Sequence, residues 1–291
     1  MAMTEIEKLA AFAGAQQDFN KESKGAEYEK NLPIAGVCVL RFREYVEIGM
    51  QPTKSVMYPN KKPARKARFV FELTTPKHQY EIEADDKSKK KYGHTISITI
   101  SISNSPKSNF MKLFKQLNWA GSANVPAQLL GQAYKALVVH VYDEADMVDG
   151  KPKADAKPKW ANLQLNGVYT FEAPRIVDPL AENPADSIRE IKVPAMLGTM
   201  KLFLWDMPNK ATWDSIFVDG SYTKSVEGKP DVEISKNWLQ QACLDALDYQ
   251  GSKLQELIEG AGETLDDLPS GGDADALGSN SAEQELLDDL V

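Results

Sequence analysis

The run His94 to Ser103, HTISITISIS, constrains the fold of this chain more than any other stretch. Ile96, Ile98, Ile100 and Ile102 alternate with Thr95, Ser97, Thr99 and Ser101. A period of two in β-branched residues specifies a strand that buries its isoleucines and turns its hydroxyls outward. Such a strand needs neighbours in a sheet and a layer beneath its apolar face. The upstream sequence supplies the neighbours. Gly36 to Ile48 (GVCVLRFREYVEI) is expected to form a long strand. Strict alternation puts Val37, Val39, Arg41, Arg43 and Tyr45 on one face, and Cys38, Leu40, Phe42, Glu44 and Val46 on the other. Arg65 to Thr74 (RKARFVFELT) is a second strand, with Phe69, Phe71 and Leu73 on one face. Gly49 to Pro63 joins the two as a loop carrying Pro52, Pro59 and Pro63. Lys77 to Ala84 extends after Pro76, and Asp85 to Gly93 (DDKSKKKYG) reads as a charged turn.

A helix is expected from Ser105 to about Asn118, with Ser105 as its cap and Pro106 at its first position. Phe110, Leu113, Phe114 and Leu117 form its apolar stripe. Further strands are expected over Tyr134 to Tyr142 and Asn162 to Glu172. Strand, strand, long strand, helix, strand, strand is the element order of an OB-fold, a five-stranded Greek-key barrel. The fold class is thus β-rich α+β: an OB-fold-like barrel with a helical C-terminal extension and a disordered acidic tail. The expected organisation is an N-terminal helix and linker over 1–30, the barrel over 31–173, the extension over 174–260 and the tail over 261–291. In the extension, Pro174 to Pro194 reads as irregular, Lys201 to Phe217 holds Trp205 and Trp213, and Ser235 to Tyr249 and Ser252 to Ile258 read as helices. The tail lacks aromatics and bases, so it cannot bury enough surface to offset its ordering entropy.

The net charge is -8, yet it is unevenly spread. Arg41 to Lys115 holds 16 Lys or Arg against 7 Asp or Glu, whereas Glu256 to Val291 holds 11 acids and no base. A basic segment inside an acidic chain points to a polyanionic partner. No apolar run is long enough to span a membrane, the N-terminus lacks a signal-peptide pattern, and a cytoplasmic location with no membrane partner is expected. Cys38 and Cys243 are expected to be buried thiols and not a disulfide.

Neither phosphate-cradling glycine motif is present, and His78, His94 and His140 lie far apart in sequence. No catalytic constellation can be named, so the expectation is a non-enzyme with no cofactor and no metal. Binding a single strand requires cations along the phosphates and aromatic faces for the bases. Both are interleaved here. The phosphate candidates are Arg41, Arg43, Lys61, Lys62, Arg65, Lys66, Arg68, Lys89, Lys90, Lys91 and Lys107, and the stacking candidates are Tyr45, Tyr58, Tyr80 and Tyr92.

The phrases LPIAGVCVLRFREYVEIG, RKARFVFELTTP, SNSPKSNFMKLFKQLN, LLGQAYKALVVHV and WDSIFVDG resemble the single-stranded DNA-binding proteins of tailed bacteriophages, over roughly residues 32–260. The resemblance implies an OB-fold core, sequence-tolerant binding of single-stranded DNA, and a role in phage replication, recombination or repair. It also implies an acidic tail that recruits replication or recombination proteins. Here the docking residues would be Leu286, Leu287, Asp288, Asp289, Leu290 and Val291, although this ending departs from the aromatic or Pro-Phe terminus of the best-known tails. The rival expectation is a virion structural or interaction protein that does not bind DNA.

Overall fold

A computed structural model describes residues 31–53, 61–83, 87–178, 180–183, 187–224 and 231–260. The expected N-terminal helix and the acidic tail lie outside these. The described residues from Pro33 onward form one compact unit of the β-rich α+β class.

The first half is built on β1 (Gly36–Gln51), β2 (Ala64–Leu73), β3 (Gln79–Glu83), β4 (Lys89–Gly93) and β5 (Thr95–Ser101). Helix α1 (Asn109–Leu117) and β6 (Ala133–Val141) follow. Next come a short hairpin, β7 (Met147–Val148) and β8 (Lys151–Pro152), and then β9 (Trp160–Asn162), β10 (Gln164–Leu165) and β11 (Val168–Tyr169). The second half contains β12 (Arg175–Val177), β13 (Ile188–Glu190), β14 (Lys201–Phe203), α2 (Lys210–Ser215), β15 (Ser221–Lys224), β16 (Val232–Ser235), α3 (Trp238–Leu244) and α4 (Lys253–Gly260).

The main sheet runs β5-β2-β1-β6-β9, antiparallel throughout. β6 pairs with the first part of β1, and β14 lies parallel to its later residues Glu44 to Val46. The sheet is open. Its edges approach closely enough for Ile96, Ser97 and Ile98 of β5 to line one small cleft with residues 160–164, but no ladder joins β5 to β9.

Two bulges in β1 decide which side chains face where. Phe42 sits opposite Phe71 and Glu44 opposite Val70, so Arg43 is the extra residue. An extra residue resets the alternation. Phe42 and Tyr45 therefore both enter the core beneath the sheet, and the expected single face carrying Arg41, Arg43 and Tyr45 does not exist. The second bulge falls between Glu47 and Met50. There Gly49 takes φ +69°, and a Cβ on it would lie 2.6 Å from both Trp205 and Ala246.

The bulges let β1 serve two cores. Under the sheet, Leu40, Phe42, Tyr45, Phe69, Phe71 and the β5 isoleucines pack on Phe110, Leu113 and Leu117 of α1. Val46 and Ile48 belong to a second core with Phe203, Trp205, Trp213, Leu239, Cys243 and Leu254. Each large apolar side chain buried this way contributes roughly 1.5–3 kcal/mol. Both cysteines are buried and free, as expected, and burial pushes the Cys38 thiol up to about 11.

Several local expectations are corrected. The α1 cap is Ser108, whose Oγ accepts from Met111 N at 3.1 Å, while Ser105 and Pro106 lie in the turn before the helix. The lysine run is strand β4, paired residue for residue with β3, because Glu81 and Glu83 lie opposite Lys91 and Lys89. The strand expected over Asn162 to Glu172 breaks at Asn166 and Gly167, whose φ values of 53° and 74° form the tight turn of the β10–β11 hairpin. Within the segment read as irregular, β12 and β13 pair as a two-stranded ribbon.

Candidate nucleic-acid interface

The structure divides the expected binding residues into a group engaged inside the fold and a group left at the surface. Arg41 belongs to the first. Its Nε donates to the Pro194 carbonyl at 2.7 Å, and its two Nη atoms donate to Gly131 at 2.8 Å and Val193 at 3.0 Å. Arg43 donates to the Thr199 carbonyl at 3.2 Å and pairs with Glu44 and Glu72. Glu72 is 1% exposed and also accepts from Leu197 N at 2.6 Å and Gly198 N at 3.0 Å. Residues 193–199 thus form a strap tied to the outer surface of β1 and β2. Gly198 rides directly on Arg43, with space for a Cβ only 2.4 Å from the guanidinium carbon.

The neighbouring candidates are equally occupied. Arg65 pairs with Asp206 at 2.9 Å and Asp248 at 3.0 Å. Lys66 is 8% exposed. Arg68 lies 4.8 Å over the Trp238 ring. Tyr45 is 2% exposed, and its hydroxyl donates to Glu47 Oε1 at 2.9 Å. Burial and the adjacent Glu47 raise the Tyr45 pKa. Arg41, Arg43, Arg65 and Arg68 thus contact residues of the C-terminal half, and Lys66 and Tyr45 are buried, so the six do not form the open cation and stacking face expected of them. The strap and Glu72 were not anticipated. The only trace in sequence was the acid Glu72 among apolar strand residues, since its partners lie more than a hundred positions away.

The surface group centres on the β3–β4 hairpin. Tyr80 and Tyr92 are cross-strand partners, and their half-exposed rings stack with centroids 5.9 Å apart. His94 closes the row 4.8 Å from Tyr80. Burial, and secondarily the charge of nearby His78, holds His94 below the usual imidazole range. By alternation, Ile82 and Lys90 share the tyrosine face, and Lys90 Nζ sits 5.6 Å above the Tyr92 ring. The opposite face carries the acid–base pairs, including Lys91 with Glu81 at 3.7 Å. Lys87, Lys89, Lys90 and Lys91 are all exposed. One face of the ribbon therefore offers aromatic surface with a cation above it, and the other offers balanced charge.

Lys61 and Lys62 are exposed in the β1–β2 loop, and Lys107 is exposed ahead of α1. Tyr58 lies outside the described residues, as do the tail residues Leu286, Leu287, Asp288, Asp289, Leu290 and Val291. Among the described residues, no helix is long and apolar enough to cross a membrane. Compared with known proteins, the chain matches no family model, no curated protein and no solved structure.

Proposed function

We propose that this protein binds single-stranded DNA without catalysis and with little sequence preference, covering strands during phage DNA replication, recombination or repair. The observation that carries the proposal is the half-exposed Tyr80–Tyr92 stack with Lys90 above it. Stacked aromatics beside lysines meet both needs of sequence-tolerant binding, since every base has a face and every nucleotide a phosphate.

The sheet order supports the same reading. β5-β2-β1-β6-β9, with a helix between β5 and β6, is the order of an OB-fold meander. OB-folds take nucleic acid on their second and third strands and on adjoining loops. In that reading the β3–β4 hairpin is the connection between the second and third barrel strands, so it falls beside the expected ligand path. The outer face of β1 and β2 is filled by the strap and by Trp238, which shifts the proposed contact onto the hairpin and the exposed loop lysines. The acidic terminal segment, by its charge, would compete with DNA for these lysines and present its leucines to replication or recombination proteins in the host cytoplasm.

Fluorescence anisotropy of labelled oligo-dT at several salt concentrations tests the proposal. If about four lysines meet phosphates, log K falls with log salt at a slope of roughly -3. Absent binding, or affinity independent of salt, would refute it.

A further inference from the structure

Trp119 occupies an unusual place. It is 45% exposed, whereas Trp160, Trp205 and Trp213 are each buried and Trp238 lies half-buried beneath Arg68. It stands on the turn after α1, and that turn is fastened at its base. Asn118 Nδ2 donates to the Ala123 carbonyl at 2.6 Å, and Asn118 Oδ1 accepts from Ala123 N at 3.0 Å. Gly121 takes φ +67° to close the loop, and its N–H donates to the Asn118 carbonyl at 2.9 Å. The indole is therefore presented to solvent by a braced turn, with no need for a loop to be ordered when a ligand arrives.

Its surroundings are basic. Arg175 Cζ lies 5.8 Å over the indole ring. Lys112 and Lys115 are exposed on α1 just ahead of the turn. Among the described residues, none of these three cations lies within ion-pair distance of an acid. A large apolar surface left in water costs free energy, and a cation held against it marks a site suited to a flat, anionic ligand.

We propose that Trp119 and Arg175 form a second single-strand contact: a base stacks on the indole, Arg175 meets its phosphate, and Lys112 and Lys115 carry the flanking phosphates. This rests on the single-strand reading above but on different residues from the hairpin. The strand is thereby held at two separate aromatic stations.

The test combines intrinsic tryptophan fluorescence with anisotropy of labelled oligo-dT on the full chain. As the most exposed indole, Trp119 is the expected reporter. Oligo-dT should quench the emission of the wild-type protein. Trp119→Phe, which keeps a stacking ring, should bind within about threefold of wild type while losing most of the quench. Trp119→Ala should bind roughly tenfold more weakly, the loss of one stacked base. Arg175→Gln should weaken binding and flatten its salt dependence by about one phosphate's worth. If oligo-dT binds by anisotropy but the quench is absent, or survives intact in Trp119→Phe, this site is wrong while the single-strand reading stands. If Trp119→Ala binds like wild type with an unchanged circular dichroism melt, the site is likewise wrong. If no variant and no wild type binds, both readings fall together.

Discussion

Glu72→Gln is the most searching perturbation of the strap. The Glu72 carboxylate is buried and accepts three donors: Leu197 N on Oε1, and Gly198 N and Arg43 Nη1 on Oε2. A glutamine of the same shape has one acceptor and one NH2 group. Whichever way the amide turns, at least one buried N–H then faces another donor. A buried donor left without a partner costs about 1–3 kcal/mol, and losing the carboxylate also removes one of the two carboxylate partners of Arg43. The expected loss is about 3 kcal/mol. With a urea m-value near 2–3 kcal/mol/M, the unfolding midpoint should drop by about 1 M. Circular dichroism in a urea series measures it. A midpoint within about 0.2 M of wild type would show that the strap is not anchored through Glu72.

Three further outcomes follow from the same geometry. Gly198→Ala puts a Cβ 2.4 Å from the Arg43 guanidinium, which must then leave its bonds to Thr199 and Glu72, so a thermal melt should show a lowered Tm, and an unchanged Tm would mean that these bonds to Arg43 add little to stability. Arg41→Ala removes three bonds to carbonyls and should cost about 2–4 kcal/mol in denaturant unfolding while leaving the salt slope of oligo-dT binding unaltered; a flatter slope would return Arg41 to the phosphate contacts. His78 donates from Nε2 to the Ile34 carbonyl, and burial holds its pKa below the ordinary value of 6.5. The unfolded chain therefore binds the proton more readily, so this contribution is full above about pH 6.5 and is lost as pH falls through the depressed pKa. Melts between pH 7.5 and 5 should show a smaller fall in Tm for His78→Gln than for wild type.

The parts of the fold legible in sequence are those fixed by local periodicity. The β5 isoleucines and the α1 stripe sit where alternation and the 3.6-residue repeat put them, because both patterns are complete within a few residues. Alternation alone misplaces Tyr45, because a bulge adds one residue without any mark in the local sequence. The lysine run reads as a turn in sequence because its strand character comes from pairing with Glu81 and Glu83 and not from its own composition. The turn at Asn166-Gly167 was there to be read, since this dipeptide between apolar residues is a strong hairpin signal. In the candidate site, the tyrosines and lysines of the hairpin could be named from sequence, and the structure places them together. Arg41, Arg43 and Arg65 looked the same in sequence as those lysines. Their difference comes from carbonyls and carboxylates far along the chain, which no local pattern reveals.

The proposed function requires that the Tyr80–Tyr92 face hold bases. The decisive quantity is the affinity of the Tyr80→Ala/Tyr92→Ala double variant for labelled oligo-dT at fixed salt, read beside its thermal melt. The rings are half-buried and outside both cores, so the double variant should remain folded with only a modest drop in Tm. Losing stacking worth about 1–3 kcal/mol per base should weaken binding by roughly tenfold or more. A folded double variant that binds oligo-dT as tightly as wild type would show that this face does not hold bases.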